Sequence, residues 1–145
     1  MKKILSLLLI VFAVFANYSC SDDEEDDWQG FEKYEGVWGP AVYTLDGKEY
    51  ECNPNYPNIN LIDRVSFIKY EGTQVIVRNE YFNNGVWKHR YDDLFIFENG
   101  NFYETRIDGN GLVKGNVYHG FIISDGYLTC PDRQACQGIK FVKVE

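Results

Sequence analysis

From Trp28 onward the apolar positions fall in short runs rich in valine, isoleucine, phenylalanine and tyrosine, and each run breaks at a polar turn after eight to twelve residues. The turns are LDGKE at 45–49, YEGT at 70–73, FNNGV at 82–86, ENGN at 98–101, DGNG at 108–111 and SDGY at 124–127. Asn-Gly and Asp-Gly pairs close tight hairpins, because both central residues must take positive φ. No stretch keeps the 3.6-residue apolar period of a long helix, and alanine, the best helix former, occurs in this region only at Ala41 and Ala135. The pattern predicts strands over Gly36–Thr44, Lys48–Cys52, Arg64–Tyr70, Gln74–Phe82, Val86–Asp92, Leu94–Glu98, Phe102–Asp108, Leu112–His119, Phe121–Ser124, Tyr127–Cys130 and Ile139–Val144. Several of these are short enough to merge, leaving eight to ten strands.

Alternation assigns faces. In FYETRID, Phe102, Glu104 and Arg106 share one side and Tyr103, Thr105 and Ile107 the other; in IKFVKV, Ile139 and Phe141 oppose Lys140 and Val142. Leu94 to Phe97 is apolar on both faces. The stretch Asn53 to Asp63, NPNYPNINLID, is the one long irregular connection, since its prolines forbid a central strand. Short hairpins throughout leave two sheet edges to hide, and the economical solution brings the last strand against the first. The expected fold class is all-β, a small antiparallel up-and-down barrel of about 8 strands. A β-sandwich is the alternative.

The first nineteen residues read differently. Lys2 and Lys3 precede an apolar stretch from Ile4 to Ala16, which as a helix reaches about 20 Å against a hydrocarbon core of about 30 Å. A basic start, a short apolar centre and a small residue at the end are those of a secretory signal peptide. Cys20 follows at the expected cleavage point, and then come Ser21 and six consecutive acids to Asp27. Adjacent acids repel and bury nothing, so Ser21 to Asp27 is expected to be an extended, hydrated tether. Ser19 and Cys20 resemble a lipobox, in which the cysteine receives diacylglycerol after export. The acidic block resembles the export tag of surface lipoproteins of the Bacteroidetes type. The resemblance implies lipidation at Cys20, attachment to the membrane through that lipid, and a place on the outer membrane facing the exterior.

Three segments follow: signal peptide 1–19, lipidated cysteine and tether 20–27, and one domain over 28–145. The whole chain carries −8; loss of Lys2 and Lys3 makes it −10, and setting aside the six tether acids leaves a domain of −4. A concentrated basic surface is lacking, which argues against a nucleic-acid partner. Cys130 and Cys136 flank PDRQA, and in an exported chain a disulfide closing that loop is expected. Cys52 is either a free thiol or the partner of one of the two.

Candidate chemistry is sparse. His89 and His119 stand without histidine or cysteine at ligand spacing, so no metal is expected. DGNGLVKGNVYH fails as a calcium loop, because Leu112 and His119 occupy ligand positions. Nucleophile elbows and phosphate loops are missing, so neither a cofactor nor an enzyme is expected. A glycoside hydrolase using two of Asp92, Asp93, Glu98, Glu104 and Asp108 is the least favoured reading. The positive signal is aromatic: 10 Phe, 11 Tyr and 3 Trp. Such side chains fill small β-cores and line ligand pockets equally well. Trp28 reads as the end of the tether, and Trp87, beside Lys88, His89 and Arg90, as a half-exposed ring among cations.

Gly36, Val37 and Trp38 open the first strand as G-x-W. Here the domain resembles the lipocalin and calycin barrels, in particular the short lipocalin-like domains of lipoproteins. In those barrels the tryptophan packs across the closed end against a basic residue near the last strand, a place open here to Lys140 or Lys143. The resemblance implies binding of a small hydrophobic or amphipathic ligand, with the Asn53 to Asp63 loop as rim. The second reading is a packed module that binds glycan or a partner protein as an accessory of an outer-membrane complex.

Overall fold

Ten strands follow the apolar runs in order: β1 (Gly36–Leu45), β2 (Lys48–Glu51), β3 (Asp63–Lys69), β4 (Gln74–Asn83), β5 (Val86–Glu98), β6 (Asn101–Asp108), β7 (Gly111–Tyr118), β8 (Ile122–Ser124), β9 (Tyr127–Thr129) and β10 (Ile139–Lys143). They are taken from a computed structural model that describes residues 27–57 and 63–145. The expected signal peptide over 1–19, the lipidation site Cys20, the tether up to Asp26 and loop residues 58–62 lie outside the described residues. Hairpin chemistry works as the dipeptides predict: Asp46–Gly47, Asn84–Gly85, Asn99–Gly100 and Asp125–Gly126 all hold positive φ at both positions. The two strands expected over Val86–Asp92 and Leu94–Glu98 are one, β5. An Asp92–Asp93 pair interrupts the apolar pattern without breaking the ladder, since β4 pairs with β5 along the whole length from Gln74↔Ile96 to Asn83↔Val86.

Among the described residues all ten strands belong to one antiparallel sheet, in the order β7-β6-β5-β4-β3-β1-β10-β9-β8, with β2 paired to β1 beside that path. A single continuous sheet is not a sandwich. It is curled into a half-barrel, and the last strand does lie against the first, Pro40 opposite Phe141. The expected up-and-down closure differs in one respect. The path ends at β7 and β8, joined by His119, Gly120 and Phe121 without pairing to each other. Phe121, 6% exposed, turns into the core there.

Period-two alternation sends Val65 and Phe67 of β3, Val75 and Val77 of β4, Phe95 and Phe97 of β5 and Phe102 of β6 to the concave side, all of them buried. Aromatic rings fill one end of the half-barrel: Phe102 contacts Tyr34, Phe97 and Phe121 with centroids 4.9, 5.0 and 4.9 Å apart. That end is closed by the residues just before β1. Successive turns run from Trp28 to Glu35, with Phe31 N–H donating to Trp28 O and Tyr34 N–H to Phe31 O. Phe31 is wholly buried, and Trp28 stacks on Phe97 with ring centroids 6.1 Å apart. Trp28 therefore belongs to a plug rather than to the tether.

Gly36 of the G-x-W has a structural reason. Its φ is +111°, and a Cβ there would lie 2.1 Å from Glu145 O. The first strand and the chain end approach so closely that no side chain fits between them.

Candidate functional site

Opposite the aromatic plug the interior turns polar. β5 and β6 pair only from Phe95↔Glu104 to Glu98↔Asn101. Beyond that point β5 stays with β4, β6 stays with β7, and the sheet forks. Bulges at Asn79/Glu80 and Tyr103/Thr105 sit beside the fork and bend the two arms. Thr105 Oγ1 donates to Leu94 O at 2.7 Å, replacing a ladder bond with a side-chain one. Between the arms opens a cleft of about 490 Å³, lined by Tyr91, Asp93, Leu94, Phe95, Glu104, Thr105, Tyr118, Asp132 and Arg133.

Arg133 is the centre of its electrostatics. The Cys130–Cys136 loop carries it inward, with Arg133 N–H donating to Cys130 O at 3.2 Å and Cys136 N–H to Arg133 O at 2.8 Å. The residue is only 8% exposed, its Nη2 lies 2.7 Å from Asp93 Oδ2, and its guanidinium stands over the rings of Tyr91 and Phe121. Burial works against the charge, and Asp93 outweighs it, so the guanidinium holds its proton above the ordinary arginine range. The contact is a badly aligned one: neither Nε nor Nη2 makes a directed hydrogen bond. Burial likewise pushes Tyr91 up, and Tyr118 up to about 12. Both phenols face the cleft as neutral donors at neutral pH. Asp93, Glu104 and Asp132 against one arginine leave it net negative.

Behind the cleft lies a second polar layer. Asp63 is fully buried and is held by Arg90, whose Nη2 donates to Oδ1 at 2.9 Å while Nε approaches Oδ2 at 2.8 Å. Burial raises the Asp63 carboxyl above its ordinary range, and Arg90 offsets only part of that. Asn79, also fully buried, places Oδ1 3.6 Å from Cys136 Sγ and leaves Nδ2 without a partner.

Cys130, Cys136 and Cys52 are free thiols in this structure. The fold buries both Cys130 and Cys136 and sets them along the wall of one small pocket beside the loop they flank. Backbone hydrogen bonds through Arg133 bridge the loop between them. Cys52 lies apart, donating to Pro40 O at 2.9 Å.

Other expected residues scatter. Of the five acids, Asp93 and Glu104 meet in the cleft. Asp92 instead pairs with Arg78 and His89, Glu98 with Lys114, and Asp108 caps the Asn110 N–H of its own turn. His119 is exposed. Trp87 packs on Phe82, and its cation is Arg64 of β3, 4.8 Å from the ring, rather than a neighbour in sequence. Lys143 stands over the Trp38 ring, and Lys140 pairs with Glu49. Residues 53–57 line no part of this cleft; Pro54 instead packs against Gly39, where a Cβ would sit 2.5 Å from Pro54 O.

Sequence reasoning missed Arg133, Tyr118, Asp63 and Asn79. The signal for the last two was present, since Val75, Val77 and Asn79 share one face, as do Asp63, Val65 and Phe67. A polar residue at a core register is the mark of a polar interior layer. Comparisons with protein families, characterised proteins and solved structures find no match for this chain.

Proposed function

We propose that the chain is a cell-surface lipoprotein, anchored through Cys20 to the outer membrane, whose half-barrel binds a small amphipathic molecule in the forked cleft. The observation that carries this reading is the composition of the cleft wall. Phe95 and Leu94 offer an apolar floor, while Tyr91, Tyr118, Glu104 and Arg133 converge on the same space as donors and acceptors. The net negative charge favours neutral hydroxyl-bearing or amine-bearing ligands over carboxylates and phosphates. A purely hydrophobic ligand has less support, because the apolar end of the half-barrel is occupied by Phe31, Tyr34, Phe97 and Phe102.

A glycan-binding accessory is the second reading. It is favoured by the openness of the cleft and by Glu104 and Asp132, exposed carboxylates suited to pairs of sugar hydroxyls. A hydrolase using Asp93 and Glu104 has less support, since Asp93 is engaged by Arg133.

Two measurements test the proposal. Cys20→Ser should release the full chain from the membrane fraction; a variant still membrane-bound would remove the anchor. Thermal shift of the full chain against aryl glycosides, aryl amines and free oligosaccharides should show saturable binding of the aryl compounds, lost in Tyr118→Ala and retained in Trp87→Ala. Preference for the oligosaccharides would move the site to the second reading, and binding that follows Trp87 would overturn the cleft.

A further inference from the structure

The fork leaves backbone as well as side chains without partners. Phe97 N–H donates to Thr73 O on the β4 side. Successive residues of a strand turn their backbone groups to opposite sides, so Leu94 and Asp92 turn theirs away from β4 and into the fork. Leu94 O accepts from the Thr105 hydroxyl there. Past that point β5 has no neighbour on this side among the described strands, because its pairing with β6 ends at Phe95↔Glu104. The register of β5 on β4 then skips Arg90, between Tyr91 and His89, and a bulge of that kind ends the regular edge. The free edge along the cleft therefore runs from Tyr91 to Leu94, about 13 Å of extended chain.

Three further demands meet in the same space. Arg133 is 8% exposed, and its Nε and Nη2 make no directed hydrogen bond, so they lack an acceptor. Asp93, 2.7 Å from Nη2, already balances the charge, which suits those donors to a neutral carbonyl rather than a second carboxylate. Glu104 and Asp132 are exposed carboxylates in the cleft lining and suit a cation. Leu94 and Phe95 supply an apolar floor.

One class of molecule answers all of these. An extended peptide brings N–H and C=O groups to a strand edge, a carbonyl to Arg133, an apolar side chain to the floor and a protonated α-amino group to the carboxylates. We propose that the forked cleft takes the N-terminal residues of a free apolar oligopeptide, which adds as a short strand to the β5 edge at Asp92 and Leu94. Glu104 lies opposite Phe95 at the closed end of the fork. With its amine there, the peptide runs from Leu94 toward Asp92, antiparallel to β5. This inference rests on the cleft being the binding site and narrows its amphipathic ligand to a peptide. An aryl amine or a sugar meets the carboxylates but leaves the Asp92 backbone unpaired.

Leu-Phe-Leu-amide with a free α-amino group is titrated calorimetrically into the full chain. The comparison ligands are its N-acetylated form, its form methylated at both peptide-bond nitrogens, and phenethylamine. Hydrogen exchange of the Asp92 backbone N–H is followed in each complex. The tripeptide should bind at a single site, and acetylation should weaken it roughly tenfold, the worth of one charge-assisted hydrogen bond, with a similar loss on methylation. The Asp92 N–H should exchange several-fold more slowly with the tripeptide and at its free rate with phenethylamine. Glu104→Gln should shrink the penalty of acetylation, and Tyr118→Ala should weaken the tripeptide and phenethylamine alike. Equal binding of the acetylated peptide overturns the amine contact; an Asp92 N–H that exchanges as fast in the tripeptide complex as in the free chain overturns strand addition. Binding of phenethylamine without the tripeptide overturns the peptide and leaves the cleft standing, whereas binding of neither overturns both.

Discussion

The Trp38 indole donates its N–H to the carbonyl of Tyr34 at 2.7 Å, four residues earlier in the chain. Above the same ring stands Lys143 Nζ, 5.5 Å from its centre, which also donates to Glu32 O at 2.9 Å. One side chain thus ties the N-terminal plug to the first strand, and a lysine at the end of the last strand ties it again. The plug is part of the fold because its carbonyls are consumed by the sheet.

Truncating the plug should be costly. Phe31→Ala removes a fully buried ring and should lower stability by about 3–5 kcal/mol. Trp38→Phe keeps most of the packing and loses one hydrogen bond, a loss of about 1–2 kcal/mol. Denaturant titration of the two variants measures both. Equal losses would mean that the indole hydrogen bond, and not ring burial, holds the plug.

Arg90→Ala should strand the buried carboxylate of Asp63 and cost about 3 kcal/mol at neutral pH. The Asp63 carboxyl already lies above its ordinary value of 3.8. A raised carboxyl binds its proton more tightly folded than unfolded, so the stability from that proton is complete below 3.8 and lost as pH rises through the folded value. The gap between variant and parent should therefore narrow on acidification. A gap that is constant with pH would assign the loss to packing of the Arg90 stem.

Tyr118 should be the last phenol to ionise. Ultraviolet titration should show one tyrosinate appearing near 12 that Tyr118→Phe abolishes. The unfolded chain ionises there at about 10, so this residue's contribution to stability is complete below that pH and falls away above it. Gly120→Ala offers a second handle, since a Cβ there would lie 2.2 Å from the Tyr118 hydroxyl and must displace the ring. The late ionisation should move toward the ordinary tyrosine range in that variant. If it does not, burial of Tyr118 survives the displacement.

Gly39→Ala places a Cβ 2.5 Å from the backbone oxygen of Pro54. Backbone cannot swing aside as a side-chain tip can, and a loss of about 1–3 kcal/mol is expected. Gly85→Ala has open space around its Cβ but a φ of +79°, and should lose about 1 kcal/mol from the left-handed backbone alone. Thermal unfolding of the pair separates close approach from conformational strain; a smaller loss at Gly39 would contradict the steric reading.

Local chemistry determined the hairpins. Asn-Gly and Asp-Gly dipeptides favour positive φ at both positions, as they take at Asp46–Gly47, Asn84–Gly85, Asn99–Gly100 and Asp125–Gly126, and alternating valines and aromatics between them leave only a strand with one buried face. Strand positions, the antiparallel class and the meeting of the first strand with the last were legible for that reason. Trp28 and Phe31 were not legible as a plug, because a short helical turn has no period to read, and their burial depends on rings from β5 and β6 that lie about seventy residues away in the chain. The cleft was decided by tertiary structure alone. Nothing in the sequence around Phe95 and Glu104 says that two strands pair for four residues and then part, nor that a loop after β9 will drive an arginine into the gap. Forking and loop insertion depend on the twist of the whole sheet and on which edges remain unpaired, and no single segment encodes either.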